Sequence, residues 1–112
     1  MNWNPLNAEA QLAQIKAESF EHPVLIFKHS TTCSISTTTL ARLERKWNDA
    51  DAGALKPYYL DLKAHRAVSN QVAETFGVQH QSPQVLIIQN GESQYDASHY
   101  DIVFDEITKQ LA

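Results

Sequence analysis

Cys33 is the single cysteine of this sequence, and it stands in the run Lys28-His29-Ser30-Thr31-Thr32-Cys33-Ser34-Ile35-Ser36. A thiolate is a nucleophile for disulfide exchange and a metal ligand, so the residue carries chemistry wherever it is reachable and ionised. One cysteine excludes an intramolecular disulfide and any CxxC zinc or dithiol centre, but not an intermolecular bond. Free cysteine also serves as a small buried hydrophobe. The small polar residues Ser30, Thr31, Thr32, Ser34 and Ser36 are a poor lining for such inert packing, which favours a reactive sulfur. His29, four residues earlier, suits a proton acceptor beside the sulfur, and equally suits the end of a strand. His22, His65, His80 and His99 lack zinc-type spacing, so no metal site is expected. Phosphate loops and G-x-S-x-G elbows are absent. Lys63, His65 and Arg66 form a basic cluster, useful to an acidic small thiol if the fold brings it near Cys33.

The elements that must position these residues follow from apolar spacing and turn residues. Residues 7–20 read as a helix with Asn7 as N-cap and Leu12, Ile15 and Phe20 on its apolar face. Pro23 opens Val24-Leu25-Ile26-Phe27, a continuous apolar run that suits a central strand buried on both faces. Leu40, Leu43 and Trp47 share a helical face within about residues 33–49, and Ala52-Gly53 ends that segment. Cys33 therefore falls at a strand-to-helix junction. There the unpaired N–H groups and the positive end of the helix dipole favour a thiolate over a thiol. Tyr58 to Leu62 reads as a second strand, and Val68, Val72 and Phe76 as a helix closed by Gly77. Pro83 introduces a strand over Val85 to Ile88, Asn90-Gly91 predicts a tight hairpin, and Ser93-Gln94-Tyr95 pairs back. Ser98 and Asp101 resemble a capping box ahead of a terminal helix with Ile102, Ile107 and Leu111. The order αβαβαββα predicts an α/β fold: a four-stranded mixed sheet with helices on both faces, in one domain over residues 1–112.

Composition narrows the function classes. With 112 residues, 43% hydrophobic and 20% charged, the chain has the makeup of one globular domain with its own core. Its longest strongly apolar runs are four residues, far short of the ~20 of a membrane span. Residues 1–5 lack the basic-then-apolar order of a signal peptide, so a cytoplasmic protein is expected, and a lone thiol suits that reducing compartment. Residues 92–112 hold five acids against Lys109 alone, a charge that argues against nucleic acid as partner.

The stretch Lys28 to Ser36 resembles the YtxJ-like monothiol bacilliredoxins, whose motif reads close to K-H-S-T-x-C-P-I-S. Ser34 departs from it, standing where that motif has proline. The likeness continues through Ser82-Pro83-Gln84-Val85-Leu86-Ile87-Ile88-Gln89-Asn90-Gly91, similar to the proline, strand and turn signature of thioredoxins and glutaredoxins, and covers roughly residues 20–111. It implies a thioredoxin-like fold, a cis Ser82-Pro83 bond set against the cysteine, and a Ser82 backbone that aligns an extended substrate. Ser36 then stands where CxxC oxidoreductases keep their second cysteine. The resemblance implies Cys33 as catalytic nucleophile, supported by His29, Thr32, Ser34, Ser36, Ser82 and Pro83. It further implies bacillithiol as co-substrate with no permanently bound cofactor, S-thiolated proteins as clients, and a second thiol or a reductase partner to resolve the adduct. Glutathione and coenzyme A remain open from the residues themselves.

Two other readings stand beside this one. Cys33-Ser34-Ile35-Ser36-Thr37-Thr38-Thr39-Leu40 faintly resembles the C-x-x-S-R-x-T-L pattern of arsenate reductases, but Thr37 occupies the arginine position that would hold an oxyanion. A binding module on a thioredoxin-like fold needs no redox step, and its cysteine would be buried and slow to alkylate.

Overall fold

A computed structural model describes residues 1–111 of the chain. Its five-stranded sheet has the order β1-β3-β2-β4-β5, formed by β1 (Asn4–Pro5), β2 (Val24–His29), β3 (Lys56–Asp61), β4 (Gln84–Gln89) and β5 (Glu92–Ser98). The strand β2 is buried at all six positions because it lies between β3, parallel, and β4, antiparallel, with side chains covered on both faces. Four of the strands are those the sequence predicts, β2, β3 and β4 from their apolar residues and β5 from the Asn90-Gly91 turn. The fifth, β1, is two residues pairing parallel with β3, too short to leave a periodic signal.

Among the described residues, five α-helices cover the sheet: α1 (Gln11–Glu18), α2 (Ser34–Lys46), α3 (Asp49–Ala52), α4 (Arg66–Phe76) and α5 (Phe104–Lys109). Alternation along β2 divides the core in two. Val24 and Ile26 pack with Leu12 and Ile15 of α1 and Val68 and Val72 of α4. Leu25 and Phe27 pack with Leu43 of α2 and Phe104 and Ile107 of α5 on the other face.

The local chemistry departs from expectation at several ends. Asn7 does not cap α1, whose N-cap is Ala10 with no side-chain cap bond. Instead Gln11 Oε1 accepts the N–H groups of Asn7 and Ala8, at 2.8 and 3.0 Å, from within the helix. Phe20 leaves the apolar face and is exposed, its ring lying against Gly91 at the hairpin. The segment expected to run to residue 49 breaks at Trp47, and Asn48 starts α3 by accepting the N–H of Ala50 at 2.8 Å. Ser98 makes no capping-box bond. The chain forms a 3-10 turn, His99–Asp101, before α5 starts at Phe104. Gly77 closes α4 as predicted, at φ 65°, with its N–H on the carbonyl of Ala73.

Candidate active site

Cys33 is the N-cap residue of α2, and its backbone accepts the N–H of Thr37 while its own N–H reaches the carbonyl of Ser30. Its side chain makes no capping hydrogen bond, and the residue is partly exposed. The residue therefore stands at the positive end of α2, where unpaired first-turn N–H groups favour an anion, and is partly accessible to an approaching disulfide. This half-exposed position disfavours the buried, inert cysteine. Ser34 is exposed at the first position of α2, and Thr32 is exposed before the sulfur.

His29 and Ser36 form a buried knot behind Cys33. The Ser36 hydroxyl is fully buried, lies 2.7 Å from His29 Nδ1, and accepts the Ser30 N–H at 3.0 Å. It thus ties the end of β2 to the first turn of α2, holding the loop that carries the cysteine. Burial pushes the His29 imidazole below its usual range, against a smaller upward pull from Asp61 and Glu44, so the ring is neutral near pH 7. With its oxygen occupied by the Ser30 N–H, the Ser36 hydroxyl can donate to Nδ1, leaving the histidine proton on Nε2.

Ser82-Pro83 is cis, and Pro83 is buried. Because Lys28 faces Gln84 in the antiparallel register, β4 begins at the end where β2 leaves for Cys33, and the dipeptide lies at that end too. The His99 N–H donates to the Pro83 carbonyl at 3.0 Å, joining the 3-10 turn to it. The Ser82 hydroxyl is buried without a hydrogen-bond partner.

Lys63 is also brought in: its Nζ donates to Thr32 Oγ1 at 3.1 Å, one residue from the sulfur. Sequence reasoning passed over Lys28, which is fully buried on the α4 face and whose Nζ donates to the Ser69 carbonyl at 3.2 Å and lies 3.3 Å from His80 Nδ1. A signal for it existed: Lys28 continues the Val24, Ile26 alternation, where a charge is unexpected. Among the described residues, no helix is long and apolar enough to cross a membrane, and no group of three or more His, Cys, Asp or Glu side chains is placed to hold a metal.

The family model described as monothiol bacilliredoxin BrxC matches residues 4–107. Among solved structures, a candidate oxidoreductase with a thioredoxin fold is 28% identical, with a TM-score of 0.81 over 96% of this chain and 92% of that one. The thioredoxin of Malassezia sympodialis, 12% identical, gives 0.75 over 98% and 88%. That of Fasciola hepatica, 11% identical, gives 0.71 over 96% and 95%, and both agree with the fold described above. The thioredoxin-like architecture is therefore common to all three.

Proposed function

Because the chain belongs to the monothiol bacilliredoxin family, we propose that it is a thiol-disulfide oxidoreductase that removes a low-molecular-weight thiol, bacillithiol by the family's example, from mixed disulfides on client proteins. The observation that carries the reading is Cys33 itself, partly exposed at the N-cap of α2 with no capping hydrogen bond from its side chain. In the reaction the Cys33 thiolate attacks the small-thiol sulfur of protein–S–S–R. The protein sulfur leaves as a thiolate and takes a proton from water, and Cys33–S–S–R forms, so one disulfide is exchanged for another with no net oxidation. Ser36 cannot resolve that adduct, so a second small thiol or a reductase partner completes the cycle. A reducing cytoplasm is the compartment this chemistry fits.

The test is mass spectrometry after incubation with a bacillithiol-modified protein and, separately, with the symmetric bacillithiol and glutathione disulfides. A one-to-one adduct on Cys33 is expected, absent in Cys33→Ser and stable until a second thiol is added. In Ser36→Cys both sulfurs lie in the first helical turn, and an internal disulfide is expected to expel the bound thiol. Wild-type protein that takes up no small thiol from any of these disulfides would leave the binding-module reading in its place.

A further inference from the structure

The basic groups of this chain, whose net charge is −4, are unevenly placed. Lys63 reaches Thr32 beside the sulfur, and Arg66, three residues on, opens the eleven-residue α4 as an exposed side chain. Arg66 is near enough to His80 that, together with burial and Lys28, it holds that imidazole below its usual range. Behind them lies Lys28, fully buried, with a backbone carbonyl and His80 as its partners.

Among the described residues, no carboxylate forms an ion pair with Lys28, Lys63 or Arg66; the ion pairs there are Lys56–Glu18 and Lys109–Glu106. Asp61, which with Glu44 also acts on His29, keeps its charge but turns Oδ1 to the N–H groups of Lys63 and Ala64, at 3.1 and 3.2 Å, and makes no ion pair with the Lys63 ammonium. A buried cation without a counter-ion raises the local potential where solvent screens it least, and exposed cations in front of it have donors to spare.

We propose that Lys63 and Arg66, with Lys28 fixed behind them, form a subsite for a carboxylate of the small thiol that Cys33 accepts, a reading that rests on the thiol-transfer role proposed above. The ligand class is an anionic low-molecular-weight thiol whose carboxylate lies several bonds from its sulfur. Lys63 supplies a mobile point charge next to Thr32, and Arg66 a planar fork able to take both carboxylate oxygens. The subsite thereby selects which thiol is taken, and it helps to aim that thiol's sulfur at Cys33.

The experiment compares adduct formation on Cys33 from oxidised glutathione and from its ethyl ester, in which the carboxylates are blocked. The proteins are the wild type and the double variant Lys63→Ser, Arg66→Ser. Wild type should react faster with the acid, and that preference should shrink as salt is raised toward ~1 M. The double variant should lose about tenfold in rate with the acid while its rate with the ester stays within roughly twofold. A preference that survives in the folded variant, equal losses on both disulfides, or a wild type that reacts equally with both overturns the subsite and leaves the thiol-transfer role intact. Wild type that reacts with neither, and with no bacillithiol disulfide, defeats the thiol-transfer role and the subsite falls with it.

Discussion

Lys28 is a full positive charge inside the α1 and α4 side of the core, and burial holds its ammonium down at about 8 from the usual 10.5. The unfolded chain binds that proton more tightly, so between about pH 8 and 10.5 it carries more protons than the native state. Native stability therefore rises with pH across that window, and the unfavourable contribution of the charge is fully present below it. Lys28→Met keeps the length of the side chain and removes the charge. It is expected to be neutral to stabilising by about 1–3 kcal/mol at pH 7. That advantage should shrink as pH approaches 10, read as the gap in urea midpoints between variant and wild type at the two pH values. A gap that does not narrow would mean that Lys28 is not a buried cation.

The hairpin between β4 and β5 is where local chemistry is most demanding. Asn90 and Gly91 have φ values of 54° and 80°, the pair of positive angles that a type I′ turn requires. A Cβ on Gly91 would also meet the Phe20 ring at 3.0 Å, and its N–H donates to Ser19 Oγ at 2.8 Å. Gly91→Ala is therefore expected to cost about 2 kcal/mol through backbone strain and a displaced ring. Gly77→Ala, at φ 65° with open space around it, should cost only about 1 kcal/mol. Chemical denaturation of the two variants checks the order, and a smaller loss for Gly91→Ala would deny the ring contact. Two readings of the residues stood on the same local rules and failed. Asn7 and Ser98 are of the right type to cap a helix, but Gln11 folds back on the N–H groups of Asn7 and Ala8, and Ser98 leads into a 3-10 turn with no side-chain cap bond.

At the scale of the whole molecule, both halves of the core are built on the same central strands, since β2 and β4 each supply residues to the two faces. Neither side can open without uncovering the other, so unfolding should be a single cooperative transition. Tryptophan fluorescence is a fair local probe: Trp3 lies beside Phe27 and Tyr59, and Trp47 packs on Phe104. Its urea transition should coincide with that of far-ultraviolet circular dichroism, and separated midpoints would reveal that the α2 and α5 side melts independently.

What the chain determined on its own were the properties that travel with short stretches of sequence. The strands β2 and β4 are legible because each carries four consecutive apolar residues, Val24 to Phe27 and Val85 to Ile88, as a strand covered on both faces requires. Gly77 and Asn90-Gly91 are legible because few residues tolerate positive φ. Cys33 at a strand-to-helix junction followed from the same punctuation, and the family likeness of residues 28–36 singled out its neighbours. The tertiary structure alone decided that Ser36 holds His29 and Ser30 from behind the cysteine, and that Lys63 reaches Thr32. It alone also set Lys28 beneath Ser69 and His80, a contact across 41 and 52 residues of chain. Such pairings depend on which faces of β2 and α4 meet and in what register. No local period encodes that, because it is settled only when the two core faces close over the shared sheet.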